Sequence, residues 1–196
     1  MRLNVPLITQ KNKFSCGIIS TYMVIRYKGY EIGFRKLFNT IPYDKKRGTT
    51  SFEIVYGLRK LGIEAWCIIW APWLFKNFSI EEIKQKISKV DNKKFKSLLR
   101  KMLKVYNYIK AEPIDGLLLK RFIKEKSPPI VHVCVPMFRQ EMCGEWRGHF
   151  VVISGYEKSY FIVNDPTSRE KLHVRDDVLI SSIYGGVRVP SLVVIE

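Results

Sequence analysis

The sequence predicts an α+β fold in which helices come first and an antiparallel sheet second. Apolar residues recur at helical spacing through much of the first 125 positions. Five short runs rich in β-branched and aromatic residues follow Pro128-Pro129, split by Gly, Asp or Pro. Helices followed by strands, rather than alternating strand–helix units, are the order of an α+β domain.

Asn4 to Ile8 reads as an extended lead-in, followed by polar QKNKF and then SCGIISTYMVIRYKG. Ser15 is a favoured N-cap residue, and Ile18, Ile19, Tyr22, Met23 and Tyr27 keep helical spacing until Gly29. Cys16 then opens the helix, where unpaired N–H groups and the helix dipole favour a thiolate. A short helix is expected from Phe34 to Phe38. Thr50 and Glu53 have the spacing of a capping box, opening a helix from Phe52 to Leu61 that Gly62 ends. The run IEAWCIIW reads as a strand carrying Cys67. The Lys-rich middle reads as helices at Ser79 to Ser88, Lys93 to Tyr108 and Leu117 to Glu125. The strands expected after the prolines are IVHVCVPM, HFVVISGY, YFIVNDP, KLHVR and SLVVIE, with a small helix from Asp177 to Ile183 before the last.

A chain of 196 residues with 46% hydrophobic and 13% aromatic content suits one globular domain, 1–196. No stretch approaches the roughly 18 consecutive apolar residues of a membrane span. The N-terminus lacks the apolar core of a signal peptide, so a cytoplasmic protein is expected. Basic residues number 34 against 18 acidic, a net +16. Between Lys76 and Lys126 there are 15 Lys/Arg against 6 Asp/Glu. That block reads as the solvated face of amphipathic helices, with nucleic acid or an acidic protein as the alternative partner. The four cysteines show no CxxC spacing and the three histidines no HxxxH, so no metal or cofactor is expected.

Chemistry concentrates in three residues. Cys16 at a helix start supplies a thiol, His149 at the start of HFVVISGY an imidazole, and Asp165 at the end of YFIVNDP a carboxylate. A thiol is mostly protonated at neutral pH; a neighbouring imidazole lowers its pKa and later protonates the leaving group. The imidazole needs an acceptor on its other nitrogen to hold its orientation. GYEKSY joins the two runs tightly, so antiparallel pairing sets the start of one beside the end of the other. Asn164 competes for the orienting role. His132 lies in a strand with Cys134 on the same face, a core or packing position, and His173 alternates with Lys171 and Arg175 on a solvent face. Trp146 reads equally as a cleft, core or interface aromatic.

The segments QKNKFSCG, GHFVVISGY and Asn164-Asp165-Pro166 resemble the C39-like cysteine peptidases of the papain-like superfamily. The likeness covers roughly residues 4–65 and 128–168 and leaves out the Lys-rich middle, which then reads as a basic helical insertion at about 76–126. It implies a papain-like fold with Cys16 as nucleophile, His149 as base and acid, and Asp165 as orienter. Gln10 would donate its amide to the oxyanion together with the Cys16 N–H. The implied activity is a thiol hydrolase acting on a peptide or isopeptide bond, with a peptide or protein as substrate. The alternatives are an acyl transferase of the same fold and an inactive papain-like shell that binds through its basic helices.

Overall fold

The computed structural model describes residues 1–12, 14–70, 80–141, 147–185 and 189–196. Three helices come first: α1 (Cys16–Tyr27), α2 (Phe34–Thr40) and α3 (Ser51–Lys60). Ser15 holds the N-cap position of α1, but its hydroxyl donates to the Asn12 carbonyl at 2.9 Å and caps nothing. The capping box of α3 is formed as expected: Glu53 N–H donates to the Thr50 hydroxyl, and Thr50 N–H to the Glu53 carboxylate. Its buried stripe of Phe52, Ile54, Val55 and Leu58 faces the core.

Strand β1 (Ala65–Ile69) precedes α4 (Ile80–Ser88) and α5 (Lys93–Leu103). Ile83, Ile87, Leu99 and Met102 are buried while Lys84, Lys96 and Lys101 face outward, so these helices are amphipathic. Lys101 reaches the Glu53 carboxylate at 3.0 Å and ties α5 to α3. The helix expected to reach Tyr108 stops at Leu103. Tyr106–Tyr108 form a 3₁₀ turn, and Ile109–Ala111 become β2, pairing parallel with β1. Ile109, being β-branched, favours a pleated surface once a strand is available to pair with. Helix α6 (Gly116–Lys124) follows, capped by the Asp115 carboxylate.

The second half supplies β3 (Ile130–Cys134), β4 (Gly148–Glu157), β5 (Tyr160–Asn164), β6 (Leu172–Arg175) and β7 (Ser191–Ile195), with α8 (Asp176–Tyr184) before β7. The VPM end of the first run is not strand but a short helix, α7 (Val135–Arg139), with Pro136 in its first turn, where the missing N–H costs nothing. The strands form one seven-stranded sheet in the order β2-β1-β7-β3-β4-β5-β6, antiparallel except for the β1/β2 edge. The fully buried C-terminal strand β7 lies between β1 and β3 and welds the helical half to the strand-rich half. Helix α1 packs across β3 and β4, and α3 across β1 and β7.

Asn164 clamps the extended lead-in to this sheet. Its side-chain amide donates to the carbonyls of Val5 (3.1 Å) and Pro6 (3.2 Å) and accepts from the Ser154 hydroxyl (2.8 Å), with Asn164 itself fully buried. No helix among the described residues is long and apolar enough to cross a membrane.

Candidate active site

Cys16 is the first residue of α1, and Gly17 lets that helix end press against β4. A Cβ on Gly17 would stand 2.5 Å from Thr49 Cγ2 and 3.0 Å from Phe150 Cδ2. His149 is the second residue of β4 and Asp165 follows β5 directly. The antiparallel register, with Val152 opposite Asn164, sets the start of β4 beside the end of β5. His149 Nε2 lies 2.7 Å from Asp165 Oδ1. The Cys16 thiol interacts with the same ring, whose Nδ1 is the nitrogen not engaged by Asp165.

Burial acts on all three groups and is outweighed in each. It raises the Cys16 pKa, but the His149 hydrogen bond and charge, with the N–H groups of Phe150 and Gly17, bring it below the ordinary thiol value. Burial lowers His149, yet hydrogen bonds to Asp165 and Cys16 push it up to about 9. Burial raises Asp165, but His149 and Thr167 hold it below the ordinary carboxylate value. The three shifts run in the directions that favour charge on the sulfur, the ring and the carboxyl group.

Two residues of this arrangement escaped the sequence reading. Thr167 donates to Asp165 Oδ1 through both its backbone N–H and its hydroxyl, each at 2.7 Å. Arg139, at the end of α7, donates to the Thr167 hydroxyl at 3.0 Å. The Asp-Pro-Thr order was the available signal, because an aspartate commonly bonds the backbone two residues on. Thr167→Val keeps the shape and removes the hydroxyl donor. We expect the rate to fall about tenfold, roughly 1.4 kcal/mol of lost positioning. A change confined to kcat, restored in Thr167→Ser, is the expected reading; a change in KM alone would argue against positioning.

The other residues read from sequence are placed as follows. Gln10 is half-buried and its backbone N–H donates to the Pro166 carbonyl at 2.7 Å, so it sits against the turn that carries Asp165. Asn164 does not face His149; it holds the lead-in. His132 is partly buried and stacks on Phe150 at 4.7 Å between ring centroids. Burial and the adjacent His149 charge lower its pKa to about 4, so it stays neutral. His173 is exposed on β6. Cys67 is buried and burial drives its thiol pKa up, while Cys134 is buried at the end of β3. Cys143, Trp146 and the stretch from Lys76 to Ser79 lie outside the described residues. Among the described residues no cluster of His, Cys, Asp and Glu is suited to a metal ion.

Solved structures that share this architecture include C39 peptidase domains, which have the papain-like fold. A double glycine motif protease from an AMS/PCAT transporter, in complex with its leader peptide, matches 99% of this chain and 92% of its own at TM-score 0.55 and 17% identity. A structure described as a C39-like peptidase from Bacillus anthracis matches 98% of this chain and 94% of its own, at TM-score 0.58 and 15% identity. The peptidase domain of Streptococcus ComA, a bifunctional ABC transporter of a quorum-sensing pathway, matches 98% of each chain at TM-score 0.55 and 18% identity. No curated protein matches the chain. The family pattern extends over residues 2–184, and the chain belongs to the Peptidase_C39 like family of cysteine peptidases.

Proposed function

We propose that the chain is a thiol hydrolase that cleaves a peptide or isopeptide bond through Cys16, His149 and Asp165. The observation that carries this reading is the single imidazole shared between a depressed thiol and a carboxylate 2.7 Å from its Nε2. The Cys16 thiolate attacks the carbonyl carbon, and His149 Nδ1 gives its proton to the departing amine, leaving a thioester. Water, deprotonated by the now neutral imidazole, attacks the thioester and releases the acid. Gln10, on the Pro166 turn, offers its side-chain amide to the oxyanion, and the Cys16 N–H supplies the second donor. The substrate is a peptide or protein segment, a proposal supported by the leader peptide bound to one structural neighbour. The whole of 1–196 acts as one domain, with the basic helices at about 76–126 as an insertion carrying a solvated face.

Thiol labelling tests this. Iodoacetamide at about pH 6 is expected to modify Cys16 well before buried Cys67 and Cys134, as read by peptide mapping. Equal labelling of the three, or none at Cys16 in the folded protein, would count against a catalytic thiol.

A further inference from the structure

A cavity of about 290 Å³ opens where the lead-in meets the last strands of the sheet. Arg2, Leu3 and Asn4 line it together with Ile162 of β5, Lys171 just before β6 and His173 within β6. The backbone fixes this meeting. Leu3 N–H donates to the Ser154 carbonyl at 2.7 Å, Arg2 bridges to Gly155, and Ile162 is paired with His173. Gly155 permits the close approach, since a Cβ there would stand 3.0 Å from Arg2 Cα and 3.2 Å from Ile162 Cδ1.

The lining is basic and contains no carboxylate. Partial burial, and then the charge of Arg2, hold Lys171 below the ordinary lysine pKa. Arg2 gives one guanidinium nitrogen to Glu157 at 2.9 Å. The Lys171 ammonium has no ion pair or hydrogen bond among the described residues. Lysines of the basic helices differ: Lys84 meets Glu81, Lys101 meets Glu53, and Lys96 donates to the Ser88 carbonyl. Here, charge without a counter-ion lines a cavity instead of spreading over a helix face.

We propose that this cavity binds a phosphate group, with Arg2 and Lys171 as its charged donors and Asn4 and His173 as further N–H donors. A guanidinium matches phosphate oxygens in pairs, and an ammonium adds a compact point charge. A dianion offsets both fixed cations, whereas chloride or a single carboxylate offsets one. Leu3 and Ile162, both buried, keep water from part of the lining and so strengthen the attraction. The Arg2 side chain remains 63% exposed, so solvent screens it. An occupied site would fasten the front of the lead-in, which runs on through Val5 and Pro6 to Gln10 at the Pro166 turn. The site does not depend on the hydrolase reading of Cys16.

Amide NMR shifts, followed while chloride is exchanged for inorganic phosphate at constant ionic strength, test it. Shifts at Arg2 to Asn4 and at Lys171 to His173 are expected to saturate with a Kd on the order of 1 mM, as suits two charge-assisted contacts in an open site. Lys171→Met and Arg2→Met should each weaken binding roughly tenfold or more. Lys93→Met and Lys96→Met, on the basic helices, should leave it unchanged. A parallel titration with acetyl-phosphoserine amide distinguishes the source: tighter binding than inorganic phosphate means that the group arrives on a peptide, and equal binding means a free ion. Shifts that never saturate, that centre on the basic helices, or that weaken as much in Lys93→Met as in Lys171→Met would overturn the site.

Discussion

Cys16→Ala is expected to abolish turnover of any substrate while leaving thermal stability nearly unchanged. No other described cysteine can replace the nucleophile, because Cys67 and Cys134 are buried. The cost to the fold is small for two reasons. Cys16 is only partly buried at the first turn of α1, and alanine is the best helix former, so we expect a stability change within about 1 kcal/mol. The companion experiment replaces Lys93 and Lys96 of α5 and Lys104 just after it. Those changes should spare turnover, since surface charges on a solvated face contribute little to a distant reaction. Turnover measured for both sets against peptide substrates decides between the readings. If the lysines matter and Cys16 does not, the chain is a basic binding module rather than a hydrolase.

The second large effect lies in the pH profile. His149 has its pKa raised to about 9, so its imidazolium persists through neutral pH and is lost as pH rises through that value. The reactive ion pair, and with it the rate, should fall on the alkaline side near pH 9. On the acid side the rate should fall as the thiolate takes up its proton, below the ordinary thiol value because Cys16 is depressed. Asp165→Ala removes the largest influence that raises His149. The alkaline limb should then move to lower pH, and the rate at neutral pH should drop roughly 10²–10⁴-fold as the ring loses its orientation. Initial rates from pH 5 to 10 measure both effects. An alkaline limb that stays put in Asp165→Ala would mean that the carboxylate does not act through His149.

The α+β class, the capping box of α3, the strand position of His149 and the place of Asp165 at the end of the next strand were legible in the sequence. Each depends on neighbours close along the chain: hydrophobic period, a Thr three residues before a Glu, and two strand runs joined by a tight connector. Antiparallel pairing over so short a loop leaves few registers, so the approach of His149 to Asp165 follows almost directly. Other features depended on residues far apart in sequence. Asn164 looks like a rival orienter, yet the lead-in carbonyls of Val5 and Pro6, more than 150 residues earlier, claim its amide. The 109–111 strand forms only because β1 is there to receive it, and β7 can join the two halves only once both exist. The sequence by itself determined the local elements and the chemical types of the site residues, because propensity, capping and periodicity act over a few positions. Only the tertiary structure decided which polar group meets which, because a buried donor takes whatever acceptor packing brings within reach.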